Sequence, residues 1–181
     1  MHVDRHKIAP DTIRNMFVGL NDGLVGTLGS IIGFFAAFHN PVIVFAATLI
    51  ESTAATFSMS AGSYVAVDSE TESRALAQAG PDGPKPHPQG THPLRAALTV
   101  GVSYLLGATV TALPLLFGAR TALPCWITAG FAITGVSYFV ARVSGMNVRK
   151  RIVFNVCVLA ATAAVSYLVG EVAHHLFNTR M

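Results

Sequence analysis

Apolar residues in this chain gather in long continuous runs, with neither the strict alternation of a half-buried strand nor the narrow stripe of a soluble amphipathic helix. The runs cover residues 15–38, 42–67, 94–118, 123–141 and 152–173. Each is near the length of about 20 helical residues that spans a hydrocarbon core of roughly 30 Å. The stretches between them are short and polar: a His39-Asn40-Pro41 turn, a Pro/Gly-rich linker over 73–93, and a basic turn from Arg142 to Arg151. The pattern predicts an all-α integral membrane protein with five transmembrane helices, forming a single membrane domain over residues 1–181. Pro114 should kink the third span or mark its unwinding.

Two of these runs carry an acid. Asp22 stands near the start of the first and Glu51 within the second. A carboxylate inside a span costs about 2.5–3.5 kcal/mol on insertion scales, so it is expected to face protein or water and to do chemistry. Gly19, Asp22, Gly26, Gly29 and Gly33 step by three, four, three and four, which sets them on one helix stripe. Small residues on one stripe let a second backbone approach, so this seam is expected at a helix–helix contact, foremost a dimer axis. On the second span Glu51, Ala55, Met59 and Gly62 share a face, beside a stripe of Ser52, Thr56, Ser60 and Ser63. Met59 offers a soft thioether on the face of Glu51, and Asp22, Glu51 and Met59 together make a mixed donor set for a borderline divalent cation. Glu70 and Glu72, where the second helix runs out, are candidates for drawing cations to the entrance. His2 and His6 at the N-terminal end and His87 and His92 in the linker are weak metal candidates for which a solvated role is the plainer reading, and the His174-His175 pair in the tail is expected to bind metal adventitiously.

Composition and charge sharpen this picture. Hydrophobic residues make up 52% of the 181, and charged ones only 12%, which excludes a soluble domain. The formal charge of +3 comes from loops and reads as a topology signal, with no nucleic-acid surface. Ten basic residues (Arg5, Lys7, Arg14, Arg74, Lys85, Arg95, Arg142, Arg149, Lys150 and Arg151) fall on the side of the N-terminus, and only Arg120 and Arg180 on the other. The N-terminus is therefore expected in the cytoplasm and the C-terminus outside or in a lumen. Cys125 and Cys157 sit far apart inside apolar runs and are expected to be buried free thiols. No cleavable signal is expected at the polar start of the chain.

Several of these segments resemble the vacuolar iron transporter family. Asn21-Asp22-Gly23-Leu24-Val25 resembles that family's first-span motif, and Phe57-Ser58-Met59-Ser60-Ala61-Gly62 with Tyr64 and Val65 its second-span pattern. Ser69-Glu70-Thr71-Glu72, His92-Pro93-Leu94-Arg95-Ala96-Ala97, Ala112-Leu113-Pro114 and Ala141-Arg142-Val143-Ser144-Gly145 are similar to further family segments. The resemblance implies a five-span homodimer with an ion path between the two copies of spans one and two. It also implies proton-coupled export of ferrous iron (Fe2+) or manganese (Mn2+) from the cytoplasm, with the metal as substrate and no permanently bound cofactor. Asp22 and Met59 are the ligand candidates it carries over. Two departures stand out. Residues 73–93 replace the long glutamate-rich domain of many members, as in short nodulin-like or prokaryotic forms, and Ser63 stands where many have a glutamate.

The expectation is thus a divalent transition-metal exporter whose partners are a second copy of itself, the lipid bilayer, metal ions and protons. A prokaryotic plasma membrane is favoured and a vacuolar membrane is the other home. The competing reading is a non-transporting membrane scaffold or regulatory subunit that uses the glycine seam for assembly. No Ser/His/Asp set, HExxH or phosphate loop points to an enzyme.

Overall fold

A computed structural model describes residues 10–78, 92–143, 145 and 147–178. The chain forms α1 (Pro10–Phe38), α2 (Pro41–Gln78), α3 (Pro93–Leu116), α4 (Leu123–Val143) and α5 (Val148–Asn178). All five are long and apolar enough to cross a membrane. His2, His6, His87 and most of the linker lie outside the described residues.

Local chemistry sets the helix ends. At the start of α2, Asn40 Oδ1 accepts from the backbone N–H groups of Val42 (3.0 Å) and Ile43 (3.3 Å), and Pro41 fills the first helical position. His92 Nδ1 caps α3 by accepting from Leu94 N at 3.2 Å, again with proline, Pro93, just inside. Asn147 Oδ1 accepts from Lys150 N at 3.3 Å at the start of α5.

At the far end of α3, Pro114 is carried inside the helix, which runs on to Leu116 before it stops. The stop is a Schellman turn. Gly118, at φ 83°, donates to Leu115 O (3.0 Å), and Ala119 donates to Pro114 O (2.9 Å). Two sequence expectations need correction. Residues 73–78, expected in the linker, continue α2, because Ser69–Gln78 holds no proline or glycine to end it. Cys157 is exposed on the outer face of α5, while Cys125 is buried.

α1 is the hub and touches each of the other four helices. Its closest approach is to α3, where glycines face each other's backbone. A Cβ on Gly23 would run into the Tyr104 carbonyl, and one on Gly107 would lie 2.6 Å from Leu20 O. Around this contact lies a core of Leu24, Leu28, Ile31, Val44, Ala112, Leu115, Ala129, Ile133 and Leu159. α4 and α5 are joined by a buried hydrogen bond from Asn155 Nδ2 to Ser137 Oγ, 2.7 Å. Threonines that face outward, such as Thr53, Thr99 and Thr128, return their hydroxyls to their own helix at residue i−4. That bond satisfies a polar group that would otherwise meet lipid.

Candidate ion site in the membrane span

α1 and α2 form an antiparallel pair joined by a two-residue turn, so depth can be counted from it. At 1.5 Å per residue, Thr27 and Ser52 both lie roughly 16 Å from the turn. Their hydroxyls meet at 3.4 Å, which fixes the register of the two helices. On the same scale Ser30 lies about 12 Å deep, Glu51 about 15 Å, Asp22 about 24 Å and Met59 about 27 Å.

The acids of α1 and α2 are therefore at two levels. At the shallower one, Glu51 Oε2 accepts from Ser52 Oγ at 3.3 Å, and Oε1 lies 3.5 Å from the Tyr104 hydroxyl of α3. Ser30 of α1 also faces this carboxylate, and Asp22 lies within electrostatic reach of both Glu51 and Tyr104. Tyr104 is a buried side chain that crosses to Glu51 beside Gly26, where a Cβ would meet nothing nearer than the Tyr104 hydroxyl at 3.9 Å. At the deeper level Asp22 is exposed on the flank of the single chain, and the Oδ1 of neighbouring Asn21 is buried with no hydrogen-bond partner. Met59, half-buried, is level with Asp22.

Glu51 and Met59 are separated by eight residues, about 12 Å along the helix. Ligand distances of roughly 2.0–2.6 Å cannot bridge that gap, so within one chain they belong to successive positions and do not share one ion. The hydroxyl stripe of α2 turns inward: Ser52 meets Thr27 of α1, and Thr56 and Ser60 lie against Gly101 of α3.

The glycine stripe is shared among partners inside the chain. Gly19, like Gly23, packs on α3, at the Val100 carbonyl. Gly29 and Gly33 pack on α5, where a Cβ on Gly29 would lie 2.8 Å from Thr162 Cγ2 and one on Gly33 3.1 Å from Ser166 O. Gly26 alone of the four keeps an open side, next to Asp22 and Ser30. From there a groove of about 400 Å3 runs between α1 and α5, past Ser30, Gly33 and Ser166, to Ala37 and Ala173 at the turn end. Glu70 is ion-paired with Arg74 one helical turn on, and Glu72 is exposed.

The family model of the VIT family, the vacuolar iron transporters, matches residues 13–82 and 74–171. The chain belongs to the VIT family. The two matched stretches overlap at residues 74–82, in the first part of the linker expected over 73–93. VIT membership makes the protein an integral membrane transporter and points to metal-ion transport. No curated protein matches the chain. The residue that sequence reasoning missed is Tyr104. It lies in an apolar stretch of the third span, and nothing in that pattern marks one tyrosine as the bridge between the two acid-bearing helices.

Proposed function

We propose that this VIT-family protein moves a divalent transition metal, ferrous iron or manganese, out of the cytoplasm in exchange for protons. The observation that carries the proposal is the placement of Asp22 and Glu51. Two carboxylates on neighbouring helices lie within electrostatic reach of each other, on an open flank of the chain, at about 24 Å and 15 Å from the turn. Carboxylate, amide and hydroxyl oxygens suit Mn2+ and Fe2+, and the Met59 thioether at the level of Asp22 favours these over Mg2+ or Ca2+.

The mechanism follows from the two levels. A cation entering from the end of α2 reaches Asp22 first, with Asn21 Oδ1 as a further acceptor and Met59 opposite. It then passes to Glu51, where Ser52, Ser30 and Tyr104 hold the carboxylate in place. At each level an acid in a poorly solvated place holds either a proton or a cation, and exchange between the two couples the fluxes. The exposure of Asp22 and the open side of Gly26 favour a homodimer in which two copies of this flank face each other and close the path. The basic bias of the loops orients the chain with its N-terminus in the cytoplasm.

The test is flux in sealed vesicles carrying purified protein, with a pH-sensitive dye inside. Asp22→Asn should abolish Mn2+ flux and metal-driven proton movement. Glu51→Gln should lower flux and alter its proton coupling, and Met59→Ala should weaken transport least of the three. If Asp22→Asn transports like the parent, the path runs elsewhere.

A further inference from the structure

The groove between α1 and α5 ends at Ala37 and Ala173, beside a cluster the ion path does not use. At the α1–α2 turn, His39 and His174 of α5 meet edge to face with ring centroids 4.8 Å apart. His174 Nδ1 lies 2.9 Å from the Ala37 carbonyl. Glu171 stands one turn before His174 on α5, and its carboxylate is 3.5 Å from His175.

We propose that His39 and His174 form a second, mouth-side site for a divalent first-row transition metal. Four observations carry this. First, Nδ1–H of His174 donating to a carbonyl fixes the tautomer that leaves the Nε2 lone pair free, the usual arrangement of an imidazole ligand. Second, with a metal–nitrogen bond of about 2.1 Å, each ring centroid stands roughly 3.2 Å from the ion. Two rings at 90–110° around it then have centroids about 4.5–5.2 Å apart, so at 4.8 Å the pair is close enough to share one ion once the His39 ring turns from its edge-to-face contact to aim a nitrogen at it.

Third, His39 has φ 52° and donates its backbone N–H to Phe35 O, ending α1 in the left-handed position that glycine usually takes. A histidine kept there at a conformational cost points to use of the side chain. Fourth, α1 ends here and α5 is in its last turns, so two helix C-termini turn their partial negative charge toward the spot. Among the described residues no three histidine, cysteine or acidic side chains already converge on one point. The protein therefore supplies two imidazoles, with water to complete the shell, while the Glu171 carboxylate lies against His175. Imidazole suits Fe, Co, Ni and Zn better than Mg or Ca. If the proposed transport direction holds, this is the last station before release. The binding itself does not depend on that reading.

The experiment is a Co2+ titration of the full chain in lipid nanodiscs at neutral pH, read by the visible absorption of the bound ion. The arms are the parent, His39→Asn, His174→Gln, His175→Ala and Asp22→Asn. Asparagine tolerates the left-handed backbone and glutamine keeps a donor for Ala37 O, so both variants preserve the turn, checked by helical circular dichroism. The site is supported if His39→Asn and His174→Gln each weaken Co2+ binding by about tenfold or more while Asp22→Asn retains the band. Retention of the band in either histidine variant overturns it. So does loss in His175→Ala alone, which marks an adventitious surface ion. Loss in Asp22→Asn with both histidine variants unchanged places the Co2+ at the intramembrane acids and overturns the mouth site while leaving the transport reading intact.

Discussion

Tyr104 brings the third helix into the site. Its ring is buried against α1, and its hydroxyl is 3.5 Å from Glu51 and 3.9 Å from the place a Cβ on Gly26 would occupy. A hydrogen bond to a carboxylate contributes about 1.5–3 kcal/mol at good geometry, and at this length the lower end applies. Tyr104→Phe keeps the packing volume and removes only the donor. It should raise the apparent Mn2+ KM in vesicles by up to about tenfold, ~1.4 kcal/mol, while the melting temperature falls by no more than about 5 °C. An unchanged KM would reduce Tyr104 to a packing residue. The acids themselves were legible in the sequence because a charge inside an apolar run is expensive and stands out. Their rough depths could be counted from the His39-Asn40-Pro41 turn, but what faces them could not, because helical spacing gives a shared face and no partner. The Thr27–Ser52 contact agrees with the register that the turn sets.

At the scale of elements, hydrophobic runs gave the five helices, since a span must be apolar along its whole length. Their ends were less legible. α2 continues to Gln78 as a polar helix, which carries no apolar periodicity to betray it. The glycine stripe read as one seam, yet the structure divides it between α3 and α5, because a helix at the centre of a bundle presents different arcs of one stripe to different neighbours. This division makes a sharp contrast. Gly23→Ala places a methyl against the Tyr104 carbonyl and should force α1 and α3 apart, at about 1–3 kcal/mol. Gly62 has nothing within 4 Å of a Cβ, so Gly62→Ala should leave stability unchanged or slightly raised. Thermal unfolding of the two variants in detergent is the measurement, and a Gly23→Ala protein as stable as the parent would contradict the tight α1–α3 contact.

Across the whole molecule, the chain leaves much of α2 and α5 uncovered, with 17% and 11% of their apolar windows buried. Lipid accounts for the aliphatic part of that surface, but not for an exposed Asp22 beside the open side of Gly26. A second copy seated there would shield both. Because Gly26 meets only the Tyr104 hydroxyl within its own chain, a bulky residue there should leave the protomer folded and act on the partner. Gly26→Leu should therefore shift a detergent-solubilised dimer to monomer, read by light scattering coupled to size exclusion. An unchanged dimer moves the interface to another face.

The central position of α1 also has a consequence for assembly. The helix that carries Asp22 is synthesised before the two that clasp its glycines: α3 at Gly19 and Gly23, α5 at Gly29 and Gly33. Until α5 emerges, one side of α1 holds Ser30 and three open glycines toward lipid or the insertion machinery, with no Ser166 to cover them. The helix at the centre of the bundle is thus among the last to finish packing. Quality control that inspects half-made membrane proteins would meet this chain with the helix that carries Asp22 still half-wrapped, and only the arrival of α5 closes the bundle around it.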